Sequence, residues 1–243
     1  MSIVEKIKQK QADIYSHAPI TLAFLGDSVT QGCFELYPVE PGSINTVYDG
    51  ECAYHNRVKQ ILTMLYPTVP FTVINAGISG DSAPRGNDRV ERDVLSYNPD
   101  LTVVCFGLND CGKGREKADE YIDALRGIFT KVKNSNSALI FMTPNTIGLK
   151  VNDRIWQPKI RAVAENICTE ENRLSLEIHI TKAKELCREM NVPVCDCYSI
   201  WKQMAESGVD TTSLLSNDIN HPTREMHYLF AYELVKMIIG GQI

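Results

Sequence analysis

Two hydrophobic rhythms alternate along this chain. Five short apolar runs stand out: Ile20 to Leu25, Phe71 to Asn75, Leu101 to Phe106, Ala138 to Met142 and Val192 to Cys195. Each is short for a helix and is bounded by turn residues, so each reads as a buried strand. Between them apolar residues recur at helical spacing. Val58, Ile61, Leu62 and Leu65 share one face of a helix over about 52–66, which Pro67 and Pro70 close. Val90, Val94 and Leu95 face inward on a charged helix that ends near Ser96, and Tyr121, Ile122, Leu125, Ile128 and Phe129 do so over 115–133. Further helices are expected over 2–15, from about Trp156 to Met190 with a break near Thr169, over 199–206, and over 222–239 with Pro222 in the favoured first turn. Strand and helix alternate throughout, without repeats or linkers. The pattern predicts a single three-layer α/β/α domain over 1–243 around a parallel sheet. One stretch resists the pattern: 33–50, with Pro38, Pro41, Gly42 and Gly50, reads as a long irregular loop of the kind that carries function.

Composition narrows the partners. The 243 residues are enough for a full core, and a formal net charge of -5 without a Lys/Arg block argues against nucleic acid. No apolar run approaches membrane-spanning length, so membrane insertion is not expected. The polar N-terminus reads as an amphipathic helix and not a signal peptide, which places the protein in the cytoplasm. The eight cysteines fit that compartment as buried free thiols. Cys195-Asp196-Cys197 lacks a second pair at zinc spacing, so no structural metal is expected.

The chemistry collects where strands end. Gly26-Asp27-Ser28 follows the first run, Asn75-Ala76-Gly77-Ile78-Ser79-Gly80 the second and Gly107-Leu108-Asn109-Asp110 the third. In a parallel sheet those ends share one edge, where ligands bind. Ser28 is the candidate nucleophile there; alone it would read as a helix cap. Of five histidines, His17 lies in the N-terminal segment, His55 and His179 in helical patterns and His227 in the last helix. His221 differs, because it precedes a helix and follows Asp218 by three residues. That spacing lets a carboxylate accept the imidazole Nδ1–H and leaves Nε2 for the serine. The backbone N–H groups of Ser28 and Gly80 and the Asn109 amide are suitable donors to an oxyanion.

In this order the four blocks, the last being Asp218-Ile219-Asn220-His221-Pro222, resemble those of the SGNH hydrolases, the GDSL esterase/lipase superfamily. The resemblance implies a flavodoxin-like five-stranded sheet. It implies Ser28 as nucleophile, His221 as base, Asp218 as orienter, and an oxyanion hole from Ser28, Gly80 and Asn109, with no cofactor. The expected activity is hydrolysis of carboxylic esters of small molecules, with short acyl or acetyl groups, carbohydrates being one candidate alcohol. Lysophospholipids and thioesters are the alternatives within the superfamily. Tyr37, Tyr48 and Tyr54 lie near the first loop and could stack on a sugar, while Arg85 and Arg154 could meet an anionic substrate. Two non-catalytic readings compete. A flavodoxin-like flavin carrier would leave Asp218 and His221 without a task. A nucleotide-binding reading rests on Gly107 to Gly114, but Gly114 stands where a phosphate loop needs Ser or Thr for magnesium.

Overall fold

The computed structural model describes residues 2–40, 42–241 and 243; Pro41, part of the stretch read above as a loop, lies outside them, as do Met1 and Gln242. In chain order the elements are α1 (Ile3–Ala12), β1 (Ile20–Gly26), α2 (Ser28–Gln31), β2 (Cys33–Glu40), β3 (Ser43–Tyr48), α3 (Tyr54–Leu65), β4 (Phe71–Gly77) and α4 (Ala83–Asp93). They continue with β5 (Leu101–Cys105), α5 (Ala118–Lys133), β6 (Ala138–Met142), α6 (Pro158–Ile167), α7 (Glu170–Glu189), β7 (Val194–Cys195), α8 (Cys197–Glu206) and α9 (His227–Ile239). The five apolar runs form one parallel sheet in the order β4-β1-β5-β6-β7. This is the flavodoxin-like order, and its crossovers diverge between β1 and β5.

The two-residue side-chain period of a strand divides the core between the sheet faces. Leu22 and Phe24 of β1, with Val103 and Cys105 of β5, meet Tyr54, Val58 and Leu62 of α3 and Phe230 and Leu234 of α9. Ala23 and Leu25, with Val104, meet Val90 of α4 and Leu125, Ile128 and Phe129 of α5. Strands covered on both faces need continuous apolar sequence, which is why they read as unbroken runs.

Two expectations are corrected. The stretch 33–50 is no irregular loop but an antiparallel hairpin, β2 on β3, standing outside the main sheet. Its hydrophobic alternation is poor because both faces are largely open, and its ladder slips between Cys33 and Leu36. The last helix begins at His227, not Pro222, which instead forms an antiparallel bridge with Leu215. A small separate core joins the hairpin to the region before and within α6: Ile155, Ile160, Ala164, Cys168 and Ile219 are buried, and Leu36 and Ile44 of the hairpin pack against them. The hairpin and 151–168 thus make an annex beside the loop that carries His221.

Candidate active site

The site is built at the edge where β1, β4 and β5 end level, Gly26 being in register with both Gly77 and Cys105. The chain turns there into α2, whose first residue is Ser28. Asp27 caps that turn by accepting the Val29 N–H at 3.0 Å. Gly77 is required by contact: a Cβ on it would lie 2.2 Å from the backbone nitrogen of Gln31. Without it α2 could not settle on the end of β4. Burial pushes the Asp27 carboxyl up to about 7, with Asp110 and Asp81 adding to the effect.

His221 comes to this edge from the far end of the chain. Its Nε2 lies 3.0 Å from Ser28 Oγ and its Nδ1 lies 2.8 Å from the Phe34 carbonyl oxygen. A carbonyl only accepts, so Nδ1 carries the proton, and Nε2 is left to accept from the serine hydroxyl. That is the tautomer a general base needs. Burial moves the imidazole below its ordinary value, while the bond to Phe34 and the charge of Glu35 act in the opposite direction. The backbone beneath the ring is fixed by Asn217, whose Oδ1 accepts the N–H groups of Ile219, Asn220 and His221 at 2.9–3.0 Å.

Asp218 does not occupy the place expected of it. Its Oδ1 accepts from Arg154 Nη2 at 2.5 Å and from Asn152 Nδ2 at 3.1 Å, and its backbone is left-handed with φ of 56°. The physical reason is competition. The annex brings a guanidinium to the carboxylate, and the hairpin supplies the acceptor for Nδ1 instead. Arg154, considered above for an anionic substrate, is engaged by this ion pair; Arg85 stands exposed on α4.

The three expected oxyanion donors lie on the same edge. Gly80 has φ of 75°, and a Cβ there would meet nothing within 4 Å. Its glycine is therefore explained by backbone conformation and not by crowding. The Asn109 amide donates to the Asp81 carbonyl at 2.9 Å, which ties the loop after β5 to the loop after β4 and leaves a second N–H. Asp110 continues the tie by accepting the Ala83 N–H at the start of α4 at 3.0 Å. These engagements set Gly107 to Gly114 to loop-bracing, and the segment folds into a short 3-10 turn at Cys111–Lys113. Of the tyrosines considered for sugar stacking, Tyr54 is in the core with its hydroxyl 2.8 Å from Thr30 Oγ1, whereas Tyr37 and Tyr48 are exposed on the hairpin.

Several residues that support the site escaped the sequence reading. Arg89, on a helix read as charged, is only 7% exposed. It donates to the carbonyl oxygens of Ala76 and Gly26 and to Asp81, joining the ends of β1 and β4 to the Gly80 loop. Gln31 Oε1 accepts the Ser79 N–H at 2.7 Å and so fixes the peptide before Gly80. Phe34 acts through a backbone carbonyl, for which no side-chain type is a signal. Helical spacing offered one clue: Arg89 follows Gly86 by three and precedes Val90 and Asp93, on the edge of the inward face.

Beside Asn109, a cleft of about 370 Å³ is lined by Asn109, Asn166, Asn172 and Asn220 together with Glu171, Ile167 and Leu108. It is rich in amides. Among the described residues no group of three or more His, Cys, Asp or Glu side chains is arranged to hold a metal ion, and no helix is long and apolar enough to cross a membrane.

The sequence model of the GDSL-like lipase/acylhydrolase family matches residues 24–229. The chain belongs to that family and is an ester-hydrolysing enzyme. It is 31% identical over 167 residues to an acetylxylan esterase of Geobacillus stearothermophilus, covering 64% of this chain and 74% of that protein. A solved mutant of an acetyl-xylooligosaccharide esterase from the same genus superposes with a TM-score of 0.66 at 25% identity, over 90% of this chain and 94% of that one. A two-domain esterase active on acetylated mannans superposes with a TM-score of 0.68 at 20% identity. The match covers 99% of this chain but 53% of that esterase, so the chain spans about half its length.

Proposed function

We propose that this enzyme removes acetyl groups from acetylated carbohydrates through a covalent acyl-enzyme on Ser28. The observation that carries the reading is the 3.0 Å contact between Ser28 Oγ and His221 Nε2 at the sheet edge. His221 takes the hydroxyl proton as Oγ bonds to the acetyl carbonyl carbon. The carbonyl oxygen becomes an oxyanion, met by the N–H groups of Ser28 and Gly80 and the free amide hydrogen of Asn109. The imidazolium then returns its proton to the leaving sugar oxygen as the C–O bond breaks. Water, deprotonated by the same ring, releases acetate and restores Ser28. No step calls for a cofactor.

The sugar half of the proposal draws on two supports. The amide-lined cleft offers hydrogen-bond partners to hydroxyl groups, which a lipid chain would leave unpaired. The acetylxylan esterase and the mannan-active esterase named above act on acetylated polysaccharides. Solved structures of the former's kind include catalytic mutants with alanine in place of a serine and of an aspartate. The eight unpaired cysteines support a reducing compartment, and hence the cytoplasm, for this chain. The test is a panel of acetylated xylo- and manno-oligosaccharides beside 4-nitrophenyl esters of rising chain length, for the parent and Ser28→Ala. The reading expects acetyl preference, acetate release from the sugars, and loss of both activities in the variant. A preference for long chains with no release from sugars would return the protein to the lysophospholipase alternative.

A further inference from the structure

We infer that the imidazole of His221 is held by the β2–β3 hairpin, with Arg224 as the positioning residue that fixes the hairpin against it. The inference rests on the proposed role of His221 and names what orients it.

The hairpin is shaped for this contact. Its base is closed by the Asp49 N–H donating to the Gly32 carbonyl and by pairing of Cys33 with Tyr48. The ladder is then irregular until Leu36 pairs with Thr46, which leaves Phe34 and Glu35 outside the regular pairing. A bulge of this kind turns a backbone group away from the partner strand. Here it turns the Phe34 carbonyl onto His221 Nδ1 at 2.8 Å.

One guanidinium holds that bulge. Arg224, three residues after His221, donates Nη1 and Nη2 to the two carboxylate oxygens of Glu35 at 2.5 and 3.2 Å. Its Nε donates to Asp49 at 2.9 Å, just beyond β3. Its Cζ also lies over the Phe34 ring, 4.3 Å from the ring centre. Both ends of the hairpin and the ring of the residue that supplies the acceptor therefore meet one side chain. On the other side the Phe34 ring lies 5.0 Å from that of His227. A single exposed ion pair would do little, but a planar fork with two anchors and a stacked ring has one geometry. The charged and titratable groups that act on the His221 ring are Glu35 from the hairpin and His227 from α9, and Arg224 lies within the field of His227. Asp218, drawn to Arg154, is not among its hydrogen-bond partners.

The experiment compares R224Q, R224K, E35Q and D218N with the parent on 4-nitrophenyl acetate, with kcat, KM and the pH profile of kcat/KM, and near-UV circular dichroism to verify folding. Displacing a catalytic group by about 1 Å costs on the order of 100-fold, and R224Q is expected to lose kcat on that scale with KM little changed. R224K, which keeps charge without the fork, should recover only part. E35Q should move the acid limb to lower pH, because the carboxylate that favours the imidazolium is gone. D218N should lose less than R224Q. Parent-like kcat in R224Q, an unmoved acid limb in E35Q, or a larger loss in D218N than in R224Q would overturn the inference. If R224Q folds poorly, the acid limb of E35Q decides it. None of these outcomes bears on Ser28, whose own variant tests the proposed function separately.

Discussion

The sheet edge and the annex put the same candidate site together by opposite means. At the edge, position follows from the sheet itself: three parallel strands end level, and the loops after them have nowhere else to meet. Buried polar ties then fix those loops, Arg89 to the strand ends and Asn109 and Asp110 to the loop after β4. In the annex, position follows from side chains reaching between a small core and a two-stranded hairpin. Its ion pairs are partly exposed, so it is the softer of the two regions. Under the proposed mechanism the two regions divide the labour: the edge would supply nucleophile and oxyanion donors, and the annex would aim the base.

The comparison can be broken most sharply at the edge. Ser28→Ala or His221→Ala should each reduce kcat by roughly 10⁵- to 10⁶-fold with the fold intact, as single losses in a cooperating catalytic set do. Activity above a hundredth of the parent's would remove the residue from the mechanism. Asn109→Ala should cost about 100- to 1000-fold in kcat, with a smaller change in KM. It also cuts the tie to Asp81, so a urea titration must accompany the kinetics. Arg89→Leu leaves the buried Asp81 carboxylate unpaired, for a loss of about 3–5 kcal/mol in chemical denaturation. By contrast Ile160→Ala, in the annex core, should cost about 2–5 kcal/mol locally, seen as faster amide exchange in β2 and β3 while β1 and β5 stay protected. Equal exchange gains in both regions would dissolve the distinction between them.

The smallest effects are pH-dependent. As the proposed base His221 would have to be neutral, and burial holds it below the ordinary imidazole value, so kcat/KM should be level at neutral pH and fall only below about 6.5. A limb above that value would contradict the buried site. Burial also holds His55 down at about 4 in the folded chain. Its unfolded form protonates first, so it withdraws stability as pH falls from about 6.5 towards 4. Asp27 and Asp110, pushed up to about 7 and about 6, act in the opposite sense over that range. His55→Leu leaves those carboxyls in place, so its urea midpoint should decline less than the parent's between pH 6.5 and 4.5.

The edge was legible in the sequence because its signals are local. A buried strand is an apolar run, a strand end is a glycine with polar residues after it, and four such blocks in order specify an arrangement. Ser28 and His221 were found that way and meet at 3.0 Å. The annex was not legible, because nothing in Cys33 to Tyr48 alternates cleanly. A hairpin with both faces largely open needs no binary pattern, and a bulge carbonyl leaves no residue signature. The spacing of Asp218 and His221 made a local pairing look sufficient. It could not show that Arg154, distant in sequence, would take the carboxylate, or that Phe34 would take the imidazole. Arg89 was missed because a helix rich in charge reads as solvated even where one guanidinium is buried.

The central claim is that Ser28 becomes covalently acylated, and a fluorophosphonate probe reads this directly. Incubated with the folded protein and followed by intact mass and peptide mapping, the probe should add once, on Ser28. Labelling should fall to background in His221→Ala. An adduct on another residue, or undiminished labelling of Ser28→Ala, would contradict the account.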